Sequence, residues 1–396
     1  MKKLLIATAA AALFAAPAVA QDSVKIGILF GFTGPLESIT PHMAGGAELA
    51  FSEASESGKF LGGRTIEPVR ADSTCIDAAA ATASAERLVN VENVAAIVGA
   101  DCSGVSIAVT NNVAVPNGIT MISPSSTSPA LTTIEDQGLF FRTAPSDARQ
   151  GEVIADVLRE RGISEIAVTY TNNDYGRGLA ESFTSAFEEH GGRVLISAAH
   201  EDGRADYSAE VGALAAAGAE HLAVFGYVDR GGRGIVQASL DTGAFESFIF
   251  ADGMFGDSIV EAIGPELNGK VIGTVPGSDG EGRDRFEEMA TAAGFNGASS
   301  YTGESYDAAA LLILAMQAAG STDRATIAEH VMSVANAPGE EIGVGELARG
   351  LEILANGGEV DFVGVTGVDL VEPGEAAGTY RVYEIADGAF ETIEFR

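Results

Sequence analysis

The chain has 396 residues and sets 56 Asp and Glu against 23 Lys and Arg, a formal charge of −33 at pH 7. So acidic a surface excludes nucleic acid and anionic lipid as partners, because both are gathered by clustered Lys and Arg. With 46% hydrophobic residues and acids spread along the whole chain, it can bury a sizeable core, and its length suits two domains or lobes.

Residues 1–20 read as a cleavable export signal. Lys2 and Lys3 precede an apolar stretch too short to span a bilayer, and Ala18-Val19-Ala20 supplies the small-residue cleavage site. Export to an oxidising compartment, the periplasm, then makes Cys75 and Cys102 candidates for a disulfide, worth about 3 kcal/mol in the chain-entropy model. Two buried free thiols are the alternative.

From Val24 onward, short β-branched runs alternate with longer amphipathic ones, the pattern of parallel strands joined by helices. Strands are expected at 24–30, 66–71, 95–98 and 120–122, with helices at 41–57, 77–90 and 104–113. A second α/β unit begins near Thr143: a helix over 147–161 stopped by Gly162, strands at 166–170, 193–199, 222–225 and 247–250, and a helix over 176–190. A strand at 271–275 leads to helices at 281–293, 303–319 and 324–335, and residues 360–371 and 379–396 read as β. No Pro/Gly/Ser tether separates the halves, so segments crossing between two lobes are expected, a geometry suited to hinge closure over a ligand.

Catalytic signatures are missing. The five histidines never fall at metal-ligand spacing, and neither a nucleophile elbow nor a dinucleotide fingerprint occurs, which disfavours a secreted α/β hydrolase and any cofactor. Gly264–Lys270 matches part of a phosphate loop, but Val271 replaces the Ser or Thr, and the stretch precedes a strand instead of following one.

Polar clusters lie where strands end and helices begin, the place at which α/β sheets bind ligands. In the first half these are Asp101-Cys102-Ser103 and Ser123-Pro124-Ser125-Ser126-Thr127-Ser128; hydroxyls and free N–H groups there suit a carboxylate, although each Ser could equally cap its own helix. In the second half, Asp174-Tyr175, Tyr227 and Asp252 offer aromatic faces and a carboxylate suited to an ammonium group, although such tyrosines are commonly packed against neighbours.

Taken together, the cysteine spacing, Cys102-Ser103, Met121-Ile122-Ser123-Pro124-Ser125-Ser126-Thr127-Ser128-Pro129, Asp174-Tyr175-Gly176-Arg177-Gly178 and Tyr306-Asp307-Ala308 resemble the periplasmic leucine/isoleucine/valine-binding proteins of ABC importers. The resemblance implies an α/β fold of two Rossmann-like lobes with parallel central sheets joined by three crossing segments, the type I periplasmic-binding fold. It places lobe 1 at 22–142 with 273–360 and lobe 2 at 143–272 with 361–396. By the same likeness Ser103 and Thr127 correspond to positions that hold the ligand carboxylate, Ser125 contributes mainly its backbone, Ser126 is a further ligand-binding position, Tyr175 and Tyr227 correspond to aromatic pocket positions, and Asp252 to the partner of the α-ammonium. Ile39 stands where the family often has an aromatic residue, and Tyr301 and Glu304 border its cleft. The implied protein is a non-enzymatic monomer that captures a small amino acid and delivers it to an inner-membrane ABC permease. The alternative keeps the fold but changes the cargo to an amide, an aromatic acid or a quaternary amine. An inward-facing Glu37 or Glu304 would favour a ligand with an extra polar or cationic group.

Overall fold

The computed structural model describes residues 23–396; the export signal read at 1–20 lies outside them. Nine expected strands and one unexpected one, β5, run in order: β1 Ser23–Phe30, β2 Thr65–Asp72, β3 Ile97–Gly99, β4 Met121–Ser123, β5 Phe140–Arg142, β6 Glu165–Thr171, β7 Arg193–His200, β8 His221–Phe225, β9 Ser247–Phe250 and β10 Val271–Pro276. Six more follow: β11 Glu340–Gly343, β12 Val360–Gly364, β13 Leu370–Val371, β14 Glu375–Ala376, β15 Tyr380–Ala386 and β16 Ala389–Phe395. They form two seven-stranded sheets, ordered β13-β14-β5-β4-β3-β1-β2 and β16-β15-β10-β9-β8-β6-β7, and a small β11-β12 pair. The five strands β5-β4-β3-β1-β2 and β10-β9-β8-β6-β7 share one parallel topology, so each lobe has its point of strand-order reversal at the first strand of its own unit. In open α/β sheets that reversal opens a crevice at the carboxyl ends of the strands.

Two of the expected crossings move. All of β10 is buried and pairs with β9 and β15, so the chain leaves the second sheet only after Pro276, later than the expected boundary at 273. Residues 361–376 were expected in lobe 2, yet β12 pairs with β11, and β14 joins the first sheet through Glu375 opposite Arg142. The third crossing therefore falls at 377–379. A Val-rich run reads as strand whichever sheet accepts it, so its apolar pattern carried no information about its partner.

The helix Thr302–Ala319 is buried from Thr302 through Gln317, as its all-round apolar sequence requires of a core helix. It packs on the helix Thr40–Glu56, where Gly46 permits close approach: a Cβ there would lie 2.3 Å from the Thr302 carbonyl oxygen. β5 and the helix Leu347–Ala355 had no separate sequence signal. The Cys75–Cys102 disulfide is formed, with 5.1 Å between the Cα atoms, and ties the loop after β2 to the loop after β3. Gly264–Lys270 runs directly into β10 with no helix N-terminus behind it, so it has no phosphate-loop geometry.

Candidate functional site

The carboxyl ends of β1 and β3 face those of β6 and β8 across the lobe interface. Between them lies a small cavity lined by Leu36, Ile39, Met43, Asp101, Cys102, Ser103, Ser125, Tyr175, Tyr227, Asp252, Gly253 and Tyr301. Seven of the sequence-expected residues therefore meet there. Ser126, Thr127 and Glu304 do not line it, and Glu304 faces a neighbouring chamber instead.

On the lobe 1 side, the helix Ser103–Val109 begins at Cys102, whose sulfur is in the disulfide and makes no capping bond. Ser103 is not the cap of its own helix; its Oγ accepts the Ser128 N–H at 3.1 Å. The serine loop is held internally. Ser125 Oγ donates to the Asp101 carbonyl at 2.8 Å, Ser126 Oγ meets Ser106 Oγ at 2.7 Å, and buried Arg142 donates to the carbonyls of Ser126 and Ser128 at 3.1 and 3.0 Å. Arg142 is itself paired with Glu375 of β14. Asp101 accepts the Gly31 N–H at 2.9 Å and the Ser73 hydroxyl at 2.7 Å, which makes it a brace for two loops, and burial lifts its pKa. Leu36, Ile39 and Met43 form an apolar wall.

On the lobe 2 side, Asn173 caps the helix Asp174–Glu189 with its Oδ1 and donates through Nδ2 to the Tyr227 hydroxyl at 3.2 Å. Tyr175 and Tyr227 stack at 5.3 Å and 20°. Asp252, 3% exposed, receives the Tyr175 hydroxyl at 2.9 Å and the Tyr301 hydroxyl at 2.7 Å. Tyr301 belongs to lobe 1 and reaches Asp252 from a left-handed backbone, φ 58°, a conformation a bulky residue holds only at a cost of about 1–3 kcal/mol. Burial raises the Asp252 carboxyl pKa, and the two phenolic donors oppose that shift.

Sequence reasoning missed Asp147. It opens the helix Asp147–Glu160 after the Ser146 cap, is fully buried, and neither carboxylate oxygen has a hydrogen-bond partner. Burial first and the Asp252 charge second push its pKa well up, while the neighbouring Thr127 hydroxyl and Arg142 pull the other way. In sequence, Ser-Asp at a helix start reads as capping and dipole complementation, which hides a second buried acid.

The lobes are closed on one another. Asp229 N–H donates to the Pro35 carbonyl at 3.2 Å, its Oδ2 accepts the Ser38 N–H at 2.9 Å, and Ser128 Oγ donates to the Asp174 carbonyl at 3.0 Å. Glu37 stays at the exposed rim, where Arg230 lies 3.4 Å away.

Residues 23–346 match the model of the periplasmic binding protein family. The chain belongs to that family. A Leu/Ile/Val-binding protein homolog of Brucella melitensis is 32% identical over 237 residues, 58% of this chain and 61% of the relative, an alignment that spans less than two thirds of it. The leucine-, isoleucine-, valine-, threonine- and alanine-binding protein of Pseudomonas aeruginosa is 30% identical over 276 residues, covering 69% of this chain and 71% of its own. The fold of this periplasmic binding protein is shared with the Streptococcus pneumoniae branched-chain amino acid substrate-binding protein LivJ, solved with isoleucine, at a TM-score of 0.79, 22% identity and coverage of 95% and 99%. It is shared equally with a Rhodopseudomonas palustris ABC transporter solute-binding protein solved with 4-hydroxybenzoate, at 0.76, 19% identity and coverage of 95% and 97%. This chain carries the two-lobed type I architecture of the family's leucine/isoleucine/valine-binding members.

Proposed function

We propose that this protein captures a small α-amino acid between its lobes and delivers it to an inner-membrane ABC permease, after export to the periplasm by its N-terminal signal. The observation that carries the reading is Asp252: a buried carboxylate, bonded by two tyrosine hydroxyls and in no ion pair among the described residues, on the wall of a cavity also lined by Ser103 and Ser125. An α-ammonium against Asp252 and an α-carboxylate against the lobe 1 loops would complete both halves. Leu36, Ile39 and Met43 on the wall favour an apolar side chain. Relatives named for leucine, isoleucine and valine support the same choice. The stacked Tyr175–Tyr227 pair supports a second reading, an aromatic acid, but such a ligand would bring a carboxylate toward buried Asp252, which forms no ion pair among the described residues. Thermal-shift screening of the twenty amino acids and 4-hydroxybenzoate tests this. A ligand at 100 times its dissociation constant adds about 2.7 kcal/mol. Response to the benzoate and to no amino acid would overturn the reading.

A further inference from the structure

A second, small cavity lies between the lobes, and Tyr301 forms part of the wall of both. Each lobe turns one guanidinium toward it: Arg283 from the helix Glu281–Ala293 of lobe 1 and Arg381 from β15 of lobe 2. They flank one stretch of the crossing chain, since a Cβ on Gly277 would lie 3.5 Å from Arg283 Nη1 and 3.9 Å from Arg381 Cβ. Arg283 Nε donates to Glu287 Oε1 at 2.9 Å. Arg381 rests on the Phe255 ring at 5.0 Å and donates through Nη2 to the Phe390 carbonyl at 3.3 Å. Its Nε is buried without a hydrogen-bond partner, and among the described residues it forms no ion pair. Ser300, 5% exposed, also lines the chamber with its Oγ unpartnered.

A buried guanidinium N–H and a buried hydroxyl without partners are costly unless something accepts from them. We propose that this chamber binds a small anion, an inorganic ion or a short carboxylate, held between Arg283 and Arg381 and so between the two lobes. The anion accepts from Arg381 Nε and the Ser300 hydroxyl and offsets the repulsion between the two cations. Burial and that repulsion, in this order, depress the Arg381 pKa, which is the strain an anion relieves. Because one arginine belongs to each lobe, an anion bound between them favours the closed form by its differential affinity for it.

Glu304, also on the wall, sets a pH dependence. Its carboxyl is raised to about 7 by burial, with Asp307 on its own helix adding to the shift and Arg283 opposing it. Glu287, from the helix that carries Arg283, also acts on Arg381. An incoming anion raises the Glu304 pKa further, so it binds with proton uptake and more tightly at pH 6 than at pH 8. Neutral Glu304 adds a donor.

The test uses the mature protein without any amino acid, at constant ionic strength, with sodium gluconate replaced stepwise by chloride, acetate or sulfate while the melt is followed. Constant ionic strength matters because general screening alone stabilises so acidic a chain. At least one small anion raises the melting temperature in proportion to the logarithm of its concentration. Arg381→Gln weakens the apparent affinity by about tenfold or more, the range of a lost charged hydrogen bond. Glu304→Gln keeps the anion response and loses its dependence on pH. Identical responses in the wild type and Arg381→Gln, or no response to all three anions, overturn the proposal. If Arg381→Gln fails to fold, Arg283→Gln and chloride-35 line broadening on the wild type give the same decision. The site is independent of the amino acid reading, which is tested in a separate titration, so either can fail alone.

Discussion

The two walls of the cleft are built on opposite principles. On the lobe 1 side nearly every polar side chain already has a partner within its own lobe: Ser125 with Asp101, Ser126 with Ser106, Ser103 with Ser128, and the whole loop held by Arg142. On the lobe 2 side the buried acids Asp252 and Asp147 form no ion pair among the described residues, and only the charge of Arg142 acts on Asp147 from nearby. Lobe 1 is thus a floor held in place by its own bonds, with the Ser103 hydroxyl proton left to donate to an anion, whereas lobe 2 holds charge that a ligand can balance. Buried charge left unpaired is expensive, and a complementary ammonium recovers that cost. Affinity should therefore reside mostly in lobe 2, and rigidity mostly in lobe 1.

Asp252→Asn attacks that division directly. It should weaken binding of the best amino acid by about 30-fold to more than 1,000-fold, the loss of about 2–5 kcal/mol expected when one partner of a buried charge pair is truncated. Calorimetric titration showing a loss under threefold would mean that lobe 2 does not supply the charge.

The rigidity of lobe 1 is tested next by Cys75→Ser with Cys102→Ser. Losing the 27-residue closure should lower unfolding free energy by about 3 kcal/mol, read by denaturant melts with and without reductant. Ligand affinity should fall only as far as the Ser103 helix start becomes mobile. A variant that melts normally but no longer binds would move the disulfide from bracing into recognition.

The acids of lobe 2 also set the response to pH. Both Asp147 and Asp252 have folded pKa values above that of an unfolded Asp, as do Asp307 and Glu304, which are raised to about 7. As pH rises above about 4 the unfolded chain ionises first. The folded form then holds more protons, and stability of the free protein falls until these groups have also ionised. An α-ammonium ligand prefers the ionised acids, so its affinity rises over the same interval. Melting temperature without ligand should decline from pH 5 to pH 8 while the ligand-induced shift grows, by roughly tenfold in affinity per 1.4 kcal/mol. A ligand shift that shrinks with pH would argue for an anionic cargo.

Much of this arrangement could be read from residues alone, and the omissions have physical causes. The alternation of β-branched and amphipathic runs located the strands and helices that carry Ser103, Tyr175, Tyr227 and Asp252, because those sites sit at strand ends that local patterning marks well. Sheet membership of 361–376 was hidden, since pairing of β14 with β5 is a contact between residues more than two hundred apart in sequence. Thr127 and Ser126 have the right chemistry but do not line the cavity: Ser126 bonds Ser106 and the Thr127 hydroxyl neighbours Asp147, a matter of loop conformation that composition does not encode. Asp147 looked like an ordinary helix-start acid, and only its burial beside Asp252 distinguishes it.

The smallest effect belongs to the rim. Glu37 and Arg230 join the lobes at 3.4 Å, but both side chains are nearly half exposed, at 47% and 45%. Exposed pairs contribute about 0–1 kcal/mol and are screened by salt. Glu37→Gln should therefore change affinity less than about fivefold, and the change should appear in the dissociation rate because the pair forms only once the lobes have closed. In stopped-flow traces the variant's difference from wild type should vanish by about 1 M salt, where the screening length is only about 3 Å. A large, salt-insensitive loss would mean that the latch at Pro35, Ser38 and Asp229 depends on Glu37 for its geometry. Closure would then be governed at the rim, not by the buried acids of lobe 2.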